Sequence, residues 1–190
     1  MIHFIKTTFE SLSRKHGLET RLVIETSDKM YTIRNMPSQV EAKTGFVYVN
    51  IEEDLFTYVI VNDKWIYRCA PHPDIEKNQI AMNAAQRREN KKCVNDLVDV
   101  SPFHLPLNEE TALKTLTLDA EFLKSETLLD VPDLKALTTD FGNQYKGHVL
   151  QTDQVVLMDF NNHIIRFVVT SNSLGRATQD TEISIQWNAY

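Results

Sequence analysis

Two cysteines, five glycines and six prolines are few for a chain of 190 residues, and each scarcity excludes something. Cys69 and Cys93 do not make a disulfide framework, so the fold is expected to need no staples. The glycines are scattered, and no G-x-x-x-x-G-K-[ST], G-x-G-x-x-G or G-x-S-x-G run occurs. That leaves no loop to cradle a nucleoside triphosphate and no nucleophile elbow. H-E-x-x-H and EF-hand patterns are absent as well. No apolar run reaches the roughly 20 residues of a membrane span, and the opening MIHFIKTTFESLSRKH is too polar for a secretory signal. The cytosol is the simplest compartment. Positive charge is also short. Lys and Arg number 20 against 26 Asp and Glu, a net charge of −6, opposite to what a general nucleic-acid binder carries.

What is present is an ordinary globular composition. Hydrophobic residues make up 42% and charged residues 24%, enough to bury a core without metal or disulfide. In residues 1–16, Ile2, Ile5, Phe9 and Leu12 share one helical face, opposite Lys6, Ser13 and Arg14. A helix docked on the body is the plainer reading. A membrane-surface helix or transit peptide is the weaker one, because arginines are few and Glu10 interrupts.

After Gly17 the pattern turns to strands. Leu22–Thr26 and Met30–Ile33 read as a hairpin, Pro37–Thr44 as loop, and Phe46–Ile51 as a strand. Phe56–Val61 and Lys64–Ala70 flank Asn62-Asp63, the clearest hairpin signal in the chain. PHPDIEKN is a loop, Ile80–Ala84 a short strand, then a polar basic stretch, and Cys93–Phe103 contains another strand. Many short strands with no helix of three turns predict a small closed barrel. HLPLNEE, with a proline and two acids, reads as a linker. Beyond it Ala112–Leu123 is a long strand. Pro132 and Asp133 open a helix with Leu134, Leu137 and Phe141 at helical spacing, ended by Gly142 or Gly147. A hairpin turning at Asn161-Asn162 and a final strand Glu182–Trp187 follow.

Candidate chemistry is sparse. Cys69, His72, Cys93 and His104 form C-x2-H…C-x10-H, ligand types that zinc accepts. The second spacing is too wide for a knuckle, and Cys69 alternates with Trp65 and Tyr67 along a strand, so a free core cysteine and loop histidines are the better reading. Glu52-Glu53-Asp54 and Glu109-Glu110 read as solvated turns. His148 and His163 have no nucleophile that the sequence can pair with them. No metal, no cofactor and no catalytic residue is expected. Charge is segregated, however. Lys77, Arg87, Arg88, Lys91 and Lys92 face a single Glu89 between positions 77 and 92, whereas positions 107–133 hold seven acids against Lys114 and Lys124. Such a run is either a solvated loop or a surface for an acidic protein partner.

The stretch KNQIAMNAAQRRENKKCVNDLVDVSPF resembles the core of the N-terminal domain of NSF, the N-ethylmaleimide-sensitive fusion ATPase, through Ile80, Gln86-Arg87 and Phe103. VIVNDKWIYRCAPHPDI, LTLDAEFLKS and VPDLKALTTDFGNQYKGHVLQTDQVVLMDFNNHIIRFVV resemble its hairpin, long strand, and helix-plus-hairpin in the same order. The likeness runs from Arg21 to Trp187. Asn78, Asn90 and Lys91 stand where the family has glycines and Glu89 where it has an aromatic, so the turn there is expected to differ.

The resemblance implies a double-psi β-barrel subdomain followed by an α-β roll. The expected division is an extension over 1–19, a barrel over 20–105, a linker over 106–112 and a roll over 113–190. It also implies a non-catalytic, cytoplasmic role in membrane trafficking, recruiting SNAP adaptors and, through them, SNARE complexes to the ATPase modules of a hexamer. Adaptors would be the route to membranes. Arg21, Arg87, Arg88 and Lys124 match the family's basic adaptor-binding positions, while a further family lysine falls on Ser125. Lys91 and Lys92 are added here on their charge. An N domain of the valosin-containing-protein type, recruiting ubiquitin-system cofactors, and a stand-alone competitor for adaptors are the alternatives.

Overall fold

The computed structural model describes residues 29–51, 56–105, 111–123 and 131–188. The expected N-terminal helix and the strand Leu22–Thr26 lie outside these residues.

Strands β1 (Lys29–Arg34), β2 (Val47–Asn50), β3 (Tyr58–Val61), β4 (Trp65–His72), β5 (Gln79–Ala81) and β6 (Leu97–Phe103) close into a barrel in the order β1-β5-β2-β4-β3-β6. Two of its pairings, β1 with β5 and β2 with β4, are parallel, and the other four are antiparallel. Alternation builds the interior, because successive side chains point to opposite faces. Tyr31 and Ile33, Val47 and Val49, Val59 and Val61, Trp65 and Tyr67, and Val98 and Val100 all enter one core with Ile80 and Met82. Asn62 and Asp63 adopt φ of 50° and 55°, the left-handed pair that a two-residue hairpin turn requires. This is the double-psi β-barrel class that the resemblance implies.

The basic stretch after β5 is a helix, α1 (Ala84–Glu89), where the sequence reading assigned none. Its start is a capping box. The Asn83 side chain accepts the Gln86 N–H at 2.9 Å, and Gln86 Oε1 accepts the Asn83 N–H at 2.8 Å. Pro71 and His72, read as loop, belong to β4.

The second half is a mixed sheet in the order β12-β7-β10-β9, formed by β7 (Thr115–Phe122), β9 (Val155–Phe160), β10 (His163–Val169) and β12 (Glu182–Trp187). Strands β8 (Val149–Gln151) and β11 (Leu174–Arg176), which the sequence reading missed, form a two-stranded ribbon. Helix α2 (Leu134–Tyr145) buries Leu137, Phe141 and Tyr145 among Leu116, Leu118, Ile165 and Phe167. Asp133 is its N-cap, accepting from Lys135 and Ala136, so Pro132 precedes the helix. Gly142 lies inside it, and Gly147, at φ 83°, carries the chain away. Asn161 and Asn162, at 52° and 65°, make the expected hairpin turn.

Candidate binding surface

Helix α1 presents the basic residues, and the fold fixes it from both ends. At its start Gln86 is buried and its amide donates to the carbonyls of Gly45 and Phe46, both at 3.1 Å. Asn83 donates to Ala42 O at 3.0 Å. At its end Lys92 N–H bonds Arg87 O at 2.9 Å and Lys91 N–H bonds Arg88 O at 3.0 Å. These are the two bonds of a Schellman motif, and its left-handed position, normally glycine, is Lys91 at φ 53°. Asn78 is likewise left-handed at φ 58°. Two of the positions where the resemblance places glycines, Asn78 and Lys91, thus adopt a left-handed conformation that glycine takes without steric cost. Asn90 is right-handed at φ −82°.

The cations differ in availability. Arg88 and Lys91 are exposed, whereas Arg87 and Lys92 are half-buried. The Arg87 guanidinium is turned back onto the carbonyl of Met82, so part of its charge is used within the barrel. Arg21 and Lys124 lie outside the described residues. Lys64, which the sequence reading did not single out, sits 4.4 Å above the Trp65 ring. The Trp65 indole N–H donates to Glu89 O at 3.1 Å. That contact between a hairpin and a helix more than twenty residues later has no sequence signal.

Beneath α1 lies a polar network. The Glu89 carboxylate accepts the Tyr67 hydroxyl at 2.7 Å and the Val155 N–H of β9. Asn90 Nδ2 donates to Tyr67 Oη at 3.1 Å and to Gln86 O at 2.8 Å, and Asn62 Nδ2 donates to Asn90 Oδ1 at 3.1 Å. Burial pushes the Glu89 carboxyl up to about 7; the two hydrogen bonds, Lys64 and Arg166 act in the opposite direction. Burial, reinforced by Glu89, holds the Tyr67 phenol well above its ordinary range.

The same seam continues along the barrel. Tyr58 Oη donates to Gly147 O at 2.5 Å, and Gln151 accepts Ile66 N–H at 3.1 Å while donating to Lys64 O at 3.0 Å. Gln144 Nε2 donates to Lys43 O at 2.6 Å, and Lys43 pairs with Asp159. His148 is 3% exposed, its Nε2 has no hydrogen-bond partner among the described residues, and burial with the nearby Arg68 lowers its pKa to about 3. A buried neutral imidazole with no nucleophile against it is part of the packing.

Among the described residues no three His, Cys, Asp or Glu side chains gather as metal ligands. Cys69 is half-buried against the barrel core and Cys93 is exposed rather than in a core. His72 faces Glu41 and the Tyr48 ring, and His104 meets Phe56 edge-on. No described helix is long and apolar enough to cross a membrane.

No family model matches the sequence. A vesicle-fusing ATPase of Arabidopsis thaliana is 31% identical over 158 residues, an alignment covering 78% of this chain and 21% of that protein. The chain spans about a fifth of the length of the curated relative it matches. The chain is a homologue of the vesicle-fusing ATPase over that fifth, built on the barrel and mixed sheet that the N-domain resemblance implies.

Proposed function

We propose that this chain is a non-catalytic, cytoplasmic N domain that binds SNAP adaptors and so brings SNARE complexes to the ATPase modules of a vesicle-fusing ATPase. The observation that carries the reading is the exposed pair Arg88 and Lys91, held rigidly by the cap and Schellman motif of α1, in a chain related to such an ATPase. Lys64 and the half-buried Arg87 and Lys92 extend the basic surface, and Arg21 and Lys124 are proposed to join it. A barrel unit over 20–105 and a roll over 113–190, joined by 106–112, form the working division.

Exposed ion pairs contribute about 0.2–1 kcal/mol each. A handful of them gives weak binding, which a hexamer strengthens by presenting several copies. Titration calorimetry against a SNAP adaptor, against cofactors of the valosin-containing protein, and against ATP tests the reading. Saturable binding of the adaptor alone is expected. Binding of the ubiquitin-system cofactors instead, or micromolar binding of ATP, overturns it.

A further inference from the structure

Helix α1 and strand β9 belong to opposite halves of the fold, yet one side chain joins them. Glu89, the last residue of α1, receives the Tyr67 hydroxyl from β4 at 2.7 Å with one carboxylate oxygen and the Val155 N–H from β9 with the other. The Val155 N–H points away from the sheet. The ladder bonds of β9 to β10 run through the even-numbered residues, as in the bond from Val169 N–H to Gln154 O at 3.0 Å, so residues 155, 157 and 159 turn their backbone groups outward. Leu157 O on this edge is taken by the Tyr145 hydroxyl at 2.6 Å. Glu89 therefore stands where the next strand's backbone would stand.

We propose that Glu89 is a proton-dependent latch that fastens the barrel's basic helix to the free edge of the second sheet. The charged and titratable groups facing it are Lys64 from the β3–β4 turn, Tyr67 from β4 and Arg166 from β10. Neither cation makes a direct ion pair with it among the described residues, and Arg166 is engaged by Glu121 at 2.6 Å. The carboxylate also lies at the helix C-terminus, where exposed carbonyls disfavour negative charge. The neutral carboxyl accepts more weakly from these two donors but has no charge to desolvate. The ionised form keeps them only with a partly desolvated charge, which opening of the seam returns to water. Burial has moved the group up to about 7. Between the ordinary carboxylate value and that point, the ratio of open to closed latch grows about tenfold per pH unit. The latch is firmest below the ordinary carboxylate value, loosens as pH rises toward about 7 and loosens no further above it.

The test uses the full 190-residue chain labelled with nitrogen-15. The Val155 amide resonance is followed from pH 4 to 9, and residual dipolar couplings at pH 5.5 and 8.5 report the angle between barrel and second sheet. The expected result is a Val155 inflection near pH 7 and a change of angle across it. Glu89→Gln, which has no charge to lose, should abolish both. Tyr67→Phe keeps the carboxyl but removes one donor, and should move the inflection upward. An inflection near 4.5, no inflection, or an angle that is the same at both pH values overturns the proposal, as does a Glu89→Gln protein that behaves like the parent. No adaptor enters the experiment, so the latch and the proposed function stand or fall separately.

Discussion

The ring of His148 meets the ring of Phe46 edge-on, with centroids 4.8 Å apart, across the seam that also holds Glu89. Two titratable groups of this seam, His148 and Glu89, are displaced in opposite senses. His148 is lowered from 6.5 to about 3, so the unfolded chain takes up its proton first, and stability falls as pH drops from about 6.5 toward 3. Glu89 is raised from 4.5 to about 7, so its stabilising effect is complete below 4.5 and is lost as pH rises through about 7. Between 4.5 and 6.5 the two slopes oppose each other. Denaturant titrations across pH should therefore show a shallow profile for the parent chain. Glu89→Gln should expose a fall toward acid of about 1 kcal/mol per pH unit. His148→Leu should expose a fall of similar size toward alkali. A flat profile in both variants contradicts the assignment.

Lys91 holds a conformation that costs a side-chain-bearing residue about 1–2 kcal/mol relative to glycine. Lys91→Gly should stabilise the chain, by about 0.5–1 kcal/mol once the extra freedom of an unfolded glycine is subtracted. It should also weaken adaptor binding, because one exposed cation is removed. Melting curves and calorimetry on the one variant read both effects.

Charge reversal should discriminate among the cations. Arg88→Glu with Lys91→Glu is expected to reduce adaptor affinity sharply with little change in melting temperature, since both side chains are exposed. Arg87→Glu should also lower stability by about 1–3 kcal/mol, because it loses a charge-assisted bond to Met82 O. Raising salt from 0.1 M to 1 M shortens the screening length from about 10 Å to about 3 Å and should weaken binding. Salt-independent binding is incompatible with a basic docking surface.

Gly45 has φ 78°, and a Cβ there would lie 2.6 Å from Tyr145 Cε1 and 3.3 Å from His148 Cε1. Gly45→Ala combines left-handed strain with a ring clash in the seam. A loss of at least about 2 kcal/mol is expected in denaturant titration, with the near-ultraviolet signal of the tyrosines altered.

The strands were legible where a period of two carried them, as in Phe56–Ala70 and Thr115–Phe122, and where paired asparagine or aspartate marked a turn, as at Asn62-Asp63 and Asn161-Asn162. Helix α1 was not. Its six residues, AAQRRE, have no apolar face to reveal a period, and its real signature is Asn83 with Gln86 three places on. The ribbon β8–β11 has three residues per strand, too few for alternation to show. Of the site, Arg88 and Lys91 were readable as charge. The internal use of Arg87, the approach of Lys64 and the role of Glu89 depend on contacts such as Glu89 to Val155, across 66 residues, which no local pattern encodes.

Strand β9 reads VVLMDF, and its outward edge is closed by side chains, Glu89 from the barrel and Tyr145 from α2. A protein engineer who cuts the chain between the halves removes one of those closures. The freed second half would carry an apolar strand with a bare Val155 N–H, the kind of edge on which chains add to one another. The barrel is thus a solubility partner for the sheet beside it, and the halves are better produced together than apart.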